Sequence, residues 1–273
     1  MDYPDYEGVD LDLSEHVLTI RLNRPELNNA FTPGHAIHIG RVFQHAEDDR
    51  DVRTAVLTGV GDWFISGADL RSVDLSAAGG QIPQVNVSKN VFLPVLEFSK
   101  PLIAAINGGC AGGGLGFALA CDMRIASSSA RIAASFLRIG LTANDTVAYL
   151  LPRIVGLAKA LELMYVARPI DAAEAERIGL VSYVVPPEEL AHRTRELALK
   201  FAGAPPFATQ LSKRLAVDGL DRTYREHVLA QEYSSLANRY IANHDIEEGV
   251  AAFREKRPAN FRGLLAKPKW DGF

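Results

Sequence analysis

NGGCAGGGLGFALACD, residues 107–122, follows the apolar run LIAAI at 102–106 and has glycine at five of its first nine positions. The pattern reads as a strand, a tight glycine turn and the N-terminus of a helix. Glycines at such a turn let another backbone or a ligand come very close, and the first N–H groups of the helix have no acceptor inside it. A site of that kind favours negative charge. A second reading needs no ligand: the glycines only let a helix pack tightly on a strand.

Working outward, apolar runs predict strands at 17–22, 54–58, 102–106, 123–126 and 132–133, with a shorter run at 62–69, DWFISGAD, broken by Gly67. Helical spacing occupies 33–46. The polar, glycine-bearing stretch 70–84 predicts a mobile loop. Residues 158–180 read as one helix, 181–185 as a last strand, and 188–202, 207–219 and 222–241 as helices, with Ala204, Pro205 and Pro206 making a break. Strands alternating with helices at this interval indicate an α/β fold. The chain divides into a core over 1–200 and a helical region over 201–273.

The 273 residues suffice for a substantial core, and 48% hydrophobic with 23% charged residues is an ordinary globular composition. A net charge of -4 argues against a nucleic-acid binder. Two cysteines, Cys110 and Cys121, are too few for a disulfide framework and have no metal-ligand companions, which points to a reducing, cytoplasmic setting. The acidic N-terminal stretch lacks the features of a leader, and no apolar run is long enough to span a membrane. The sequon at Asn86, Val87 and Ser88 is idle in such a chain. The seven histidines form no triad or metal pattern; His16, His35, His38 and His45 fall in the N-terminal strand and helix. The basic tail, Arg254 to Lys269, reads as a solvated face.

Four motifs in fixed order, LNRPELNNAF at 22–31, FISGADLRS at 64–72, the glycine turn, and GVAAFREKRPANF at 249–261, resemble the crotonase superfamily, the enoyl-CoA hydratase/isomerase family, over nearly the whole chain. The stretches from Leu151 and Ile170 resemble it too. The resemblance implies an α/β spiral of repeated ββα units, as in ClpP-like folds, with two roughly perpendicular sheets and C-terminal helices that build a homotrimer or hexamer. It implies an acyl-CoA substrate, with coenzyme A entering as part of that substrate and neither a separate cofactor nor a metal. By motif position the thioester oxygen is held by the N–H groups of Ala68 and Gly113, within Gly67, Ala68, Asp69 and Gly112, Gly113. Arg71 falls near the CoA phosphates, and Phe253 and Lys256 near the nucleotide, with simple surface charge as the other reading for Arg71 and Lys256. Leu27 departs from the lysine common there.

The physical logic stands beside the resemblance. Charge that develops on a thioester oxygen is stabilised by fixed donors in a dry pocket, and one such donor is worth roughly 3–4 kcal/mol elsewhere. Hydratases of this family carry two glutamates where this chain has Gly116 and Phe136. Each acid or base so lost is worth about 100 to 10,000-fold in rate, which disfavours hydration by the two-glutamate route. Some relatives without the pair place an aspartate about one helical turn further on. Here Asn144 falls on that position and Asp145 one residue past it. Asp145 is the catalytic candidate, and before TVAYLL it equally fits a helix N-cap. The leading expectation is an enzyme that stabilises an enolate-like intermediate, as an isomerase or lyase. The alternative is a catalytically silent protein that binds CoA esters or serves as a scaffold.

Overall fold

The computed structural model describes residues 3–72 and 88–263. From the N-terminus the chain runs β1 (Val9–Ser14), β2 (Val17–Leu22), α1 (Pro33–Asp48), β3 (Thr54–Gly59), β4 (Trp63–Ile65), α2 (Leu93–Leu96), β5 (Leu102–Ile106), β6 (Gly109–Ala111) and α3 (Gly113–Ala120). Then follow β7 (Met123–Ser127), β8 (Arg131–Ala133), α4 (Asp145–Val155), α5 (Leu157–Val166), β9 (Ile170–Asp171), α6 (Ala172–Arg177) and β10 (Tyr183–Val185). The rest is α7 (Leu190–Ala202), α8 (Pro206–Asp218), α9 (Tyr224–Ile241) and α10 (Asn243–Glu255).

Strands alternate between two sheets. One has the order β1-β2-β3-β5-β7-β10 and the other β4-β6-β8-β9. Each step from β3 to β4, β5 to β6 and β7 to β8 therefore leaves the large sheet for the small one, and α2 or α3 returns the chain to the large sheet. That is the spiral of ββα units expected from the motifs. Among the described residues, the large sheet has only the β1–β2 pair antiparallel; in the small one β9 runs against β8. The parallel strand β5 is buried at all five residues, which is why LIAAI reads as an unbroken apolar run.

Two expectations require correction. Val9–Ser14 is a strand, paired with β2 through a two-residue turn in which Glu15 and His16 have φ of 50° and 65°. His16 thus sits in the turn and not in a strand. The alternation of VDLDLS is a strand signal, but it lacks the Asn-Gly that usually marks such a hairpin. The helix expected over 158–180 is interrupted: Ala167 takes φ 52°, Pro169 follows two residues on, and β9 intervenes before α6. The expected loop at 70–84 lies largely outside the described residues, as do Asn86 and Val87 of the sequon and Lys267 and Lys269 of the tail.

Polar side chains hold the spiral where strands change sheet. Asn29, only 1% exposed, donates to Val60 O at 3.0 Å and Trp63 O at 2.6 Å and accepts from Arg24 N at 2.9 Å. Asn107 plays the same part for the next unit, donating to Gly61 O at 2.7 Å and accepting from Gly59 N at 3.2 Å. Asp122 accepts from Leu102 N at 2.8 Å and pairs with Lys213 at 2.9 Å, tying α8 to the core. On the far side α7 covers the large sheet, with Leu190, Ala198 and Ala202 against Val17, Val56 and Ile103. The end of the described chain is strapped to α10 by Glu248, whose carboxylate accepts from Arg257 at 2.6 Å and Asn260 N at 2.7 Å and is held down to about 2 by that pairing.

Asn29→Ala leaves buried carbonyl and N–H groups without partners. It is expected to lower the unfolding free energy by about 2–4 kcal/mol, measured by urea denaturation.

Candidate active site

The site is built where the chain leaving β4 runs beside the chain leaving β6. Ile65 is in register with Cys110, so residues 66–68 continue alongside residues 111–113. On its other side the 66–69 segment is bonded to Phe31: Phe31 N donates to Gly67 O at 2.9 Å, and Asp69 N donates to Phe31 O at 2.9 Å. Successive peptide groups of an extended chain point to opposite sides. The Gly67 carbonyl and the Asp69 N–H face Phe31, and the Ala68 N–H is thereby turned toward the glycine turn.

Across the gap, α3 begins at Gly113 with Gly112 as its N-cap. Gly112 takes φ +52° and donates its own N–H to Ala133 O at 3.2 Å. Gly113, like any first-turn residue, has no acceptor for its N–H within the helix. Gly67 has φ +107°, and a Cβ on it would stand 3.1 Å from Ala111 O and 3.3 Å from Gly113 N. Only glycine gives this backbone both the conformation and the clearance. Two amides on facing segments, Ala68 and Gly113, therefore flank one notch at a helix N-terminus, an arrangement suited to an oxygen that carries negative charge.

Aromatic rings pack against the first turns of α3. A Cβ on Gly113 would come within 2.6 Å of the Phe31 ring, and Phe31 meets Phe117 edge-on at 5.6 Å between centroids. Phe92, on the helical turn Ser88–Phe92, lies 4.9 Å from Phe117. A Cβ on Gly116 would lie 3.1 Å from both Phe92 Cε1 and Asn144 Nδ2. A side chain at Gly116 would therefore require Phe92 or Asn144 to shift by a few tenths of an ångström. Phe136 is half-buried in the turn Ser135–Ile139 and packs against the core.

Asn144 is the N-cap of α4, its Oδ1 accepting from Val147 N at 3.0 Å. This corrects the reading of Asp145 as the cap: Asp145 is the first residue of the helix, and its side chain lies outside those described. Arg71 forks onto the neighbouring carboxylate, Nε to Asp69 Oδ1 at 2.9 Å and Nη2 to Oδ2 at 3.1 Å, and this pairing holds the Asp69 carboxyl below its ordinary value. Phe253 is 86% exposed, and Lys256 closes α10 at φ 55°; α10 packs on α9. The structure thus gathers Gly67, Ala68, Asp69, Gly112, Gly113, Gly116 and Asn144, with Arg71 at the rim. Phe31 lay inside a quoted motif without a role. Phe92 carried no local signal, because only the return of the chain through α2 and α3 brings it to Gly116.

The sequence profile of the enoyl-CoA hydratase/isomerase family matches residues 12–264. (E)-benzylidenesuccinyl-CoA hydratase of Thauera aromatica is 37% identical over 257 residues, covering 93% of this chain and 99% of that protein. Crotonyl-CoA hydratase of Syntrophomonas wolfei is 35% identical, over 94% of this chain and 98% of its own. The crystal structure of enoyl-CoA hydratase from Bacillus anthracis superposes with a TM-score of 0.87 at 30% identity, covering 94% of this chain and all of that one.

Gly67→Ala is expected to destabilise the fold by about 1–3 kcal/mol through its backbone conformation, read by thermal unfolding, and to widen the spacing of residues 67 and 113, read in a crystal structure of the variant.

Proposed function

Because the chain belongs to the enoyl-CoA hydratase/isomerase family, we propose that it acts on an acyl-CoA thioester whose carbonyl oxygen is held between the N–H groups of Ala68 and Gly113. The observation that carries this reading is the absence of a side chain on Gly67, which lets the Gly113 amide stand 3.3 Å from where a Cβ would be. Removing a proton next to the thioester, or adding a nucleophile in conjugation with it, moves charge onto that oxygen. Donors already fixed in place stabilise the resulting enolate without reorganising.

The route is not the two-glutamate hydration. Gly116 has no side chain, and Phe92 and Asn144 close the space above it. Phe136 is apolar. Asp145, the first residue of α4 and the neighbour of Asn144, is the proposed proton carrier. Isomerisation or lyase chemistry through an enolate-like intermediate fits this set better than addition of water. Coenzyme A enters as part of the substrate, with Arg71 near its phosphates and Phe253 and Lys256 near its nucleotide.

The α9 helix supports a homotrimer or hexamer. Leu229, Tyr233, Leu236 and Tyr240 follow one another at helical spacing and are 53%, 73%, 49% and 87% exposed, an apolar stripe that a second copy of the chain would cover.

Ala68→Pro deletes one donor at an exposed position outside the core. It is expected to lower kcat/KM on the true substrate roughly 100 to 1,000-fold, with little change in KM, in steady-state assays over an acyl-CoA panel. Full activity in the folded variant excludes the two-amide mechanism; a wild-type protein that binds thioesters and turns none over would favour the silent binding protein instead. Leu236→Asp is expected to convert the assembly to monomers, as measured by light scattering.

A further inference from the structure

Arg24, within LNRPELNNAF, stands at the head of a line of hydrogen bonds that ends at the notch. Its Nη1 donates to Ala30 O at 2.9 Å, and the N–H of that same peptide group, on Phe31, donates to Gly67 O at 2.9 Å. Gly67 O belongs in turn to the peptide group whose N–H is that of Ala68. In a trans peptide the C=O and N–H point in opposite directions, so the line runs straight from the guanidinium through peptides 30–31 and 67–68 to the Ala68 N–H. A charged donor at one end of such a series polarises the groups after it and strengthens each later bond by about 10–30%.

The guanidinium is firmly seated. Arg24 N donates to Asn29 Oδ1 and Arg24 O accepts from Asn29 N, both at 2.9 Å, and the stem crosses Gly8, where a Cβ would stand 2.9 Å from Cγ and Cδ. The same Nη1 meets His35 Nδ1 at 3.1 Å. Arginine only donates, so Nδ1 is the acceptor and His35 is neutral, with its proton on Nε2. Burial first, and then the Arg24 charge, hold His35 below the usual histidine value; His38 adds to this, and Glu7, 3.9 Å from Nε2, opposes it. Thr32 Oγ1 also lies 2.7 Å from Nδ1. We infer that Arg24 is a positioning residue that, kept in place by neutral His35, polarises the Ala68 N–H through two peptide groups. Protonating His35 takes an acceptor from Nη1 and sets a second cation against it. The relay is therefore complete at neutral pH and loosens as pH falls below the usual histidine range. The inference rests on the acyl-CoA site proposed above.

The test is isotope-edited infrared spectroscopy of the full chain with butyryl-CoA labelled with carbon-13 at the thioester carbon, whose C=O stretch drops as donors to its oxygen strengthen. Arg24→Met is expected to lose roughly 10–30% of the shift seen on binding to the wild type, and Arg24→Lys, which keeps a cationic donor, to recover part of it. In the wild type the shift is expected to shrink as pH is lowered from about 8 to about 5, and to stay flat in Arg24→Met and His35→Gln. Hydrogen exchange at the Phe31 amide reads the bracing without a ligand, and is expected to quicken roughly two- to tenfold in Arg24→Met. An unchanged shift in folded Arg24→Met overturns the inference, as does a pH dependence that survives in His35→Gln. Weaker butyryl-CoA binding with an unaltered shift in the bound fraction is a packing effect and overturns it too. If the wild type binds no butyryl-CoA, the acyl-CoA site itself fails and Phe31 exchange decides the bracing alone: faster exchange in Arg24→Met upholds it, and unchanged exchange overturns it.

Discussion

The close approach of two backbones at Gly67 and Gly113 governs what the rest of the structure has to do. A side chain at Gly67 would press on Ala111 O and Gly113 N, so the facing amides exist only because two segments far apart in sequence run side by side without bulk between them. Holding them there takes bonding on the outer flank. Phe31 supplies it with two hydrogen bonds of 2.9 Å to the 67–69 segment, and Asn29, two residues earlier, is anchored to the start of β4. Those hydrogen bonds hold the 67–69 segment from the side opposite the glycine turn.

Packing beside the glycine turn is close. Phe92, tilted at 45° to Phe117, and Asn144 Nδ2 both stand 3.1 Å from where a Cβ of Gly116 would be. Dense interiors leave few voids, so a change of volume at Gly116 would be felt by both neighbours. The amide of Asn144 has its oxygen committed to capping α4, which leaves its nitrogen turned toward Gly116.

Much of this architecture was legible in the chain itself. The buried parallel strands appear as unbroken apolar runs, and the glycine turn announces both a strand-to-helix junction and a close approach. β1 was missed because its alternation is carried by acidic residues and its turn is made by Glu15 and His16, which rarely take positive φ. The break after α5 was signalled by Pro169 but overridden by the helical spacing on either side. Asn144 and Asp145 are adjacent in sequence, and only the helix start decides between them as cap.

The sequence by itself determined the alternation of strands and helices and the glycine turn, because periodicity and conformational demands are local properties of a chain, and its four motifs carried the resemblance that implied the family and the two-sheet repeat. The tertiary structure decided which groups converge: that Phe31 braces the 67–69 segment, that Phe92 closes over Gly116, and that the donor end of Asn144 faces α3. Those contacts join residues tens of positions apart, and their geometry follows from how strands register and helices cross.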